Sequence, residues 1–203
     1  MIYEACHEND EWLELSPGEI DAAVQRGLRM RKYSLEHGHQ ERGGWIPDEA
    51  RARYIQCIGE VACSAVARGL GFPLDEIKTE TFQGPDLPGN VEVRLISVDR
   101  YGLRVYDKDD NDKNVVGVVI PVGQERCGRY RCPGWIKASD AKYGEWSMAP
   151  LGRRPMYAVP QKFLLPLSDL RRKINGDGKR LRGYPRQSEP ISESLCRPPP
   201  GDA

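Results

Sequence analysis

Apolar residues recur at helical spacing in two N-terminal stretches and then give way to short runs of strand character. Ile20, Ala23, Val24 and Leu28 fall three and four residues apart, which puts them on one face of a helix lying on a core. Ser16-Pro17-Gly18-Glu19 supplies the start of that helix, with Ser as N-cap, Pro at the first helical position and Glu three residues after the cap. Its end is expected near Lys32. Pro47-Asp48 opens a longer helix running to about Arg68 and stopped by Gly69 or Gly71. The stripe of this second helix is Tyr54, Cys57, Ile58, Val61, Ala62, Ala65 and Val66. Its other side is small rather than charged (Cys63, Ser64, Ala67), as in a helix covered on more than one side. The polar, glycine-rich stretch 37–45 between the helices reads as a surface loop.

Strand-like pieces follow. Residues 79–82 suit an edge strand and residues 91–98 a longer one. Tyr101-Gly102 reads as a turn, 103–106 as the return strand and 107–114 as a polar turn. Val115-Val116-Gly117-Val118-Val119-Ile120-Pro121-Val122 is a continuous aliphatic run, the pattern of a central strand covered on both faces. One further strand is expected at 129–132 and a short capped helix at 138–142. Residues 159–165 and a terminal helix at 168–174 close the domain. The order of helix, helix, strand cluster and short helices predicts an α/β domain with a mixed sheet. An acidic segment at 1–15 precedes the domain at 16–174. From residue 175 the composition turns to Gly, Pro, Arg and Ser, so 175–203 is expected to be a disordered basic, Pro-rich tail.

Charge changes this picture little. Thirty basic and thirty acidic residues in 203 leave a formal net charge of zero, so no global field draws the chain to nucleic acid or membrane. Any DNA partner must be held by a local patch. No apolar run reaches the roughly 20 residues that a bilayer span needs, and the acidic start lacks the order of a signal peptide. A cytoplasmic location is therefore expected, with the six cysteines mostly reduced.

Candidate chemistry concentrates in Pro85-Asp86-Leu87-Pro88-Gly89-Asn90-Val91-Glu92-Val93-Arg94-Leu95-Ile96. Strand side chains alternate, so Glu92 and Arg94 share one face while Val91, Val93 and Leu95 share the other. With Asp86 in the adjoining turn, two carboxylates and a cation can converge as a divalent metal and a phosphate require. Mg²⁺ or Mn²⁺ would be held by Asp86 and Glu92, with Glu60 on the long helix reaching it directly or through water. Arg94 would hold the scissile phosphate with its fork. On spacing alone a solvated strand face with an ordinary Glu–Arg pair is the favoured account.

A family likeness shifts that balance. Gly59-Glu60-Val61-Ala62, Pro85-Asp86 and Glu92-Val93-Arg94 resemble the PD-(D/E)XK nuclease-like superfamily, whose core has an acid on a helix, then an Asp, then a Glu-x-Lys strand. The downstream block Pro133-Gly134-Trp135-Ile136-Lys137, Asp140-Ala141-Lys142, Tyr157-Ala158-Val159-Pro160-Gln161 and Leu165-Pro166-Leu167-Ser168 is similar to small phage and mobile-element proteins of this group. The likeness spans residues 16–170. It implies a restriction-endonuclease-like core, a mixed β-sheet flanked by helices, and metal-dependent hydrolysis of DNA. It implies Asp86, Glu92 and Glu60 around the metal and Arg94 on the phosphate. One position departs: Arg94 stands where the family has Lys. A Lys there helps to activate water when burial lowers its pKa, whereas Arg stays protonated. The alternative is thus a nuclease-fold protein without activity that binds DNA or a host or phage protein.

Trp135, Lys137, Lys142, Arg153 and Arg154, with Tyr143 and Trp146 among them, form an aromatic and basic region suited to stacking on bases and contacting phosphates. Packing of the aromatics against a sheet edge explains them equally well. Cys127 and Cys132 form a C-x₄-C pair without a second pair at zinc-finger spacing, so two thiols flanking a turn is the better account. His37 and His39 lie in a polar loop. No P-loop, dinucleotide fingerprint or nucleophile elbow is present, and a Ser/His/Asp hydrolase has no support.

Overall fold

The computed structural model describes residues 9–37, 48–77, 84–96, 102–148 and 155–176. Strand β1 (Glu11–Glu14) leads into helix α1 (Pro17–Glu36) and helix α2 (Glu49–Leu70). Ser16 caps α1 through the anticipated capping box: Glu19 N–H donates to the Ser16 hydroxyl oxygen and Ser16 N–H to the Glu19 carboxylate. Asp48 caps α2, and Gly71, at φ 84°, ends it in the left-handed conformation that glycine adopts without penalty. The two helices pack closely at Gly27, where a Cβ would lie 2.6 Å from Cys57 Cα.

Strands β2 (Val91–Ile96), β3 (Leu103–Tyr106), β4 (Asn114–Val119) and β5 (Arg129–Lys137) follow. Then come helix α3 (Ala138–Ala141), strands β6 (Ser147–Met148) and β7 (Met156–Val159), and helix α4 (Leu167–Ile174). They form two sheets: a four-stranded one in the order β1-β5-β4-β2 and a three-stranded one in the order β3-β7-β6. The first is mixed, because β2 runs parallel to β4 while β5 is antiparallel to both β4 and β1. The architecture is α/β, a mixed sheet flanked by helices.

The aliphatic run in β4 explains the layering. Val116 and Val118 join one core with α1, α2, α4 and the inner face of β5, and Val115 and Val119 join a second core with β3, β7 and α3. Helices thus cover one face of the four-stranded sheet, and the small sheet covers the other. Within β5, Pro133-Gly134 does not end the strand. Gly134, at φ 128°, lets Leu165 O approach to 2.2 Å of where a Cβ would stand, and Trp135 bridges Leu165 through paired backbone bonds.

Some boundaries and pairings differ from the sequence expectation. Helix α1 runs four residues past Lys32, to Glu36. Strand β3 is not the return partner of β2 but pairs with β7, since β4 takes one edge of β2 and Leu87 bridges Val91 at its start. Strand β1 had no signal in its short charged sequence and forms only through β5. The edge strand at 79–82, nearly all of the loop at 37–45 and the tail from 177 lie outside the described residues, as do residues 1–8 of the acidic segment. No described helix is long and apolar enough to cross a membrane.

Candidate functional site

Among the described residues strand β2 stands at the edge of the four-stranded sheet, and its neighbours define the site. Its even-numbered side chains turn away from the helix core that holds Val91, Val93 and Leu95. Asp86, in the Pro/Gly turn before it, accepts a hydrogen bond from Val93 N–H at 2.8 Å through Oδ2. This bond caps a donor of the strand edge and fixes the carboxylate against β2. Burial pushes the Asp86 carboxyl up to about 6, and the nearby charge of Glu92 adds to the rise.

Glu92 is held between two cations. Lys113 Nζ lies 2.7 Å from its Oε2, and Arg94 Nη2 lies 3.4 Å from its Oε1. Lys113 comes from the end of the polar turn. The parallel register sets Glu92 beside Val115, so Lys113, two residues earlier, projects to the same face. Arg94 stands opposite Gly117, and its guanidinium turns to Asp109: Nη2 donates to Oδ1 at 2.8 Å and Nη1 lies 2.8 Å from Oδ2. Nη1 also donates to Arg104 O at 2.6 Å, and the guanidinium carbon lies 4.7 Å from the Tyr106 ring centroid. Burial opposes the Arg94 charge, but Asp109 and Glu92 outweigh it and hold the group further toward the protonated form.

The third carboxylate comes from α2. Glu60 is 6 % exposed and pairs with Arg26 of α1 at 3.4 Å. Arg26 also donates to the Ser64 hydroxyl, which donates in turn to Glu60 O at 2.6 Å. Burial raises the Glu60 carboxyl, Arg26 opposes the rise and Asp86 adds to it. Cys63, one turn along α2, is raised mainly by its burial and then by Asp86, Glu60 and Glu92 together. Asp86 thus feels the charge of Glu92 and Arg94 on one side and Glu60 feels that of Asp86 on the other, while Glu92 and Arg94 turn away from the helix layer that carries Glu60.

Their fit to a hard divalent ion is one of donor type. Asp86 and Glu92 offer carboxylate oxygens, the chemistry Mg²⁺ or Mn²⁺ prefers. Glu60 is turned to Arg26. Among the described residues no group of three or more His, Cys, Asp or Glu side chains is arranged to hold a metal ion.

Sequence reasoning missed Lys113 and Asp109. Both sit in a turn that reads as solvated, and only the parallel pairing of β2 with β4 carries Lys113 to Glu92. The anticipated nucleic-acid residues are placed as follows. Trp135 is in the core, 2 % exposed, and its indole N–H donates to Pro166 O at 3.1 Å, so the packing alternative applies to it. Lys137 pairs with Asp112 at 2.9 Å at the surface. Lys142 donates to Asp107 O, Asp109 O and Asn111 Oδ1 at 2.8, 2.6 and 2.9 Å. Arg153 and Arg154 lie outside the described residues. Cys132 is buried, its thiol pushed up to about 12 mainly by that burial, while Cys127 is exposed.

No protein-family model matches the sequence, and no curated protein or solved structure is significantly similar to it.

Proposed function

We propose that this protein is a divalent-metal-dependent hydrolase of DNA phosphodiesters, built on a restriction-endonuclease-like core. The observation that carries the reading is the Glu92–Lys113 pair beside β2, with Asp86 fixed on the same strand by Val93 N–H and near enough to feel both charges. Two acids and a lysine are the groups this chemistry requires. The likeness of the Glu-x-Arg strand to a Glu-x-Lys motif left the lysine unaccounted for, and Lys113 supplies an amine from the turn that leads into the adjacent strand β4. Asp86 and Glu92 would hold Mg²⁺ or Mn²⁺. The bound ion would supply Lewis acidity and a water of lowered pKa. Lys113 would orient the attacking water and stabilise charge growing on the phosphoryl oxygens. The new bond from water oxygen to phosphorus forms as the bond from phosphorus to the leaving sugar oxygen breaks, and a proton returns to that oxygen. Arg94, closed onto Asp109, holds the turn rather than the phosphate. Glu60, closed onto Arg26, adds negative potential behind Asp86.

A second reading is favoured by one observation: in this arrangement both oxygens of Glu92 already face cations. A protein of this fold that binds DNA or a host or phage protein without cutting would keep such an ion-paired site permanently closed. One experiment separates the two readings. Supercoiled, linear and single-stranded DNA are incubated with the protein in Mg²⁺, Mn²⁺ or EDTA, alongside Asp86→Ala and Glu92→Ala. Metal-dependent cutting that both variants lose supports the hydrolase. DNA binding in EDTA with no cutting in either metal supports the second reading.

A further inference from the structure

The turn between β3 and β4, Asp107-Lys108-Asp109-Asp110-Asn111-Asp112-Lys113, is gripped from two sides. Its inner side presents Asp109 to Arg94 and Lys113 to Glu92. Its outer side is bound by α3 and the residue that follows it. Ala138 N–H donates to Lys113 O at 2.8 Å and Ser139 N–H to Asn111 O at 3.1 Å. The Lys142 ammonium then sits in a cage of three turn oxygens, Asp107 O, Asp109 O and Asn111 Oδ1, at 2.6 to 2.9 Å. An ammonium has three N–H donors, so these three acceptors fill its capacity. Lys137 pairs with Asp112 of the same turn.

We infer that Lys142 is a positioning residue, a tethered cation whose ammonium shapes this turn and thereby sets Arg94 and Lys113 against Glu92. Four carboxylates crowd seven residues here, and like charges at this density repel unless a cation is placed among them. The backbone oxygens point inward at Lys142 instead of outward at water, so the turn is held by a charge rather than by a regular turn hydrogen-bond pattern alone. Asp109 connects the two sides most directly. Its carbonyl accepts from Lys142, its own Oδ2 accepts from Tyr106 N–H at 2.7 Å, and its carboxylate closes on Arg94. Releasing the ammonium frees the Asp109 carbonyl and loosens the carboxylate that orients Arg94. The consequence for catalysis rests on the hydrolase reading, but the positioning itself does not.

Side-chain nitrogen NMR on the full chain tests this. In the unaltered protein the Lys142 ammonium protons should exchange slowly enough to be seen, and the Arg94 guanidinium should show resolved Nη signals, as a rotationally locked group does. Lys142→Met should collapse the Arg94 signals to those of a freely rotating guanidinium. Ammonium chloride should restore them by refilling the cage, whereas tetramethylammonium chloride at the same ionic strength should not. Fast-exchanging Lys142 protons in the unaltered protein overturn the inference even if the variant fails to fold. Arg94 signals unchanged in Lys142→Met, or lost and not recovered with ammonium, overturn it as well. If the protein cuts DNA, the variant should lose up to about a hundredfold in kcat with KM unchanged, the scale of a misplaced reacting group. A protein that never cuts DNA removes the hydrolase reading and leaves the NMR outcome standing.

Discussion

Arg94 and Asp109 are joined by two parallel contacts, with Nη2 2.8 Å from Oδ1 and Nη1 2.8 Å from Oδ2. The pair ties the edge strand to the polar turn fifteen residues later. It also explains how an arginine is accommodated on a strand face that turns inward toward a second sheet.

The first prediction follows from the burial of that pair, with side chains 13 % and 4 % exposed. Asp109→Ala leaves the guanidinium with only the longer Glu92 contact and the Arg104 carbonyl, so the cost should approach the roughly 3 kcal/mol at the low end of breaking a buried pair. Urea unfolding should show a loss of that order. A loss under about 1 kcal/mol would place the pair with ordinary surface bridges.

Asp86 carries a pH signature. Its carboxyl rises from the ordinary 3.8 to about 6, through burial first and Glu92 second. The folded state then binds more protons than the unfolded state between those two values, so stability falls as pH rises through that window and levels off above about 6. Carbon NMR titration of the Asp86 carboxyl reads the value directly. Glu92→Gln removes the second cause and should lower it, with a correspondingly shallower loss of stability.

Lys113 should matter to cleavage more than Arg94 does as a reacting group. Lys113→Met is expected to reduce metal-dependent cutting about a hundredfold, the scale of one lost charge-stabilising donor, with the fold retained by circular dichroism. Cutting at the full rate in this variant would return the role to Arg94.

Arg26 and Glu60 should behave as a buried couple. Glu60→Ala leaves the Arg26 guanidinium enclosed between α1 and α2 and should destabilise by about 3 kcal/mol. Arg26→Met removes the group that opposes the rise of the Glu60 carboxyl, so the Glu60 titration should move further up in pH. A titration that stays in place would mean that Arg26 does not govern this acid.

The helices and most strands were readable along the chain because their signals are local. The Ser16 to Glu19 capping box, the stripe from Ile58 to Val66 and the aliphatic run of β4 each specify an element within a few residues. The tendency of Glu92 and Arg94 to share a face was readable for the same reason, since the side-chain period of a strand belongs to its own backbone. Pairing was not. Whether 103–106 returns on β2 or joins β7 depends on which edges are already taken, and no window of sequence contains that information. Pro133-Gly134 looked like a boundary because the approach of Leu165, thirty-one positions after Gly134, is what makes a glycine necessary there.

The amino-acid sequence by itself determined the α/β class, the two capped helices and the alternation that puts Glu92 and Arg94 on one face of β2. Tertiary structure decided which partner each charge took: Lys113 for Glu92, Asp109 for Arg94, Arg26 for Glu60 and the turn oxygens for Lys142. The reason is the range of the forces involved. Periodicity and capping act through neighbouring backbone, whereas an ion pair forms only after parallel register and sheet stacking have brought distant residues within a few ångströms and excluded the water that would otherwise solvate them.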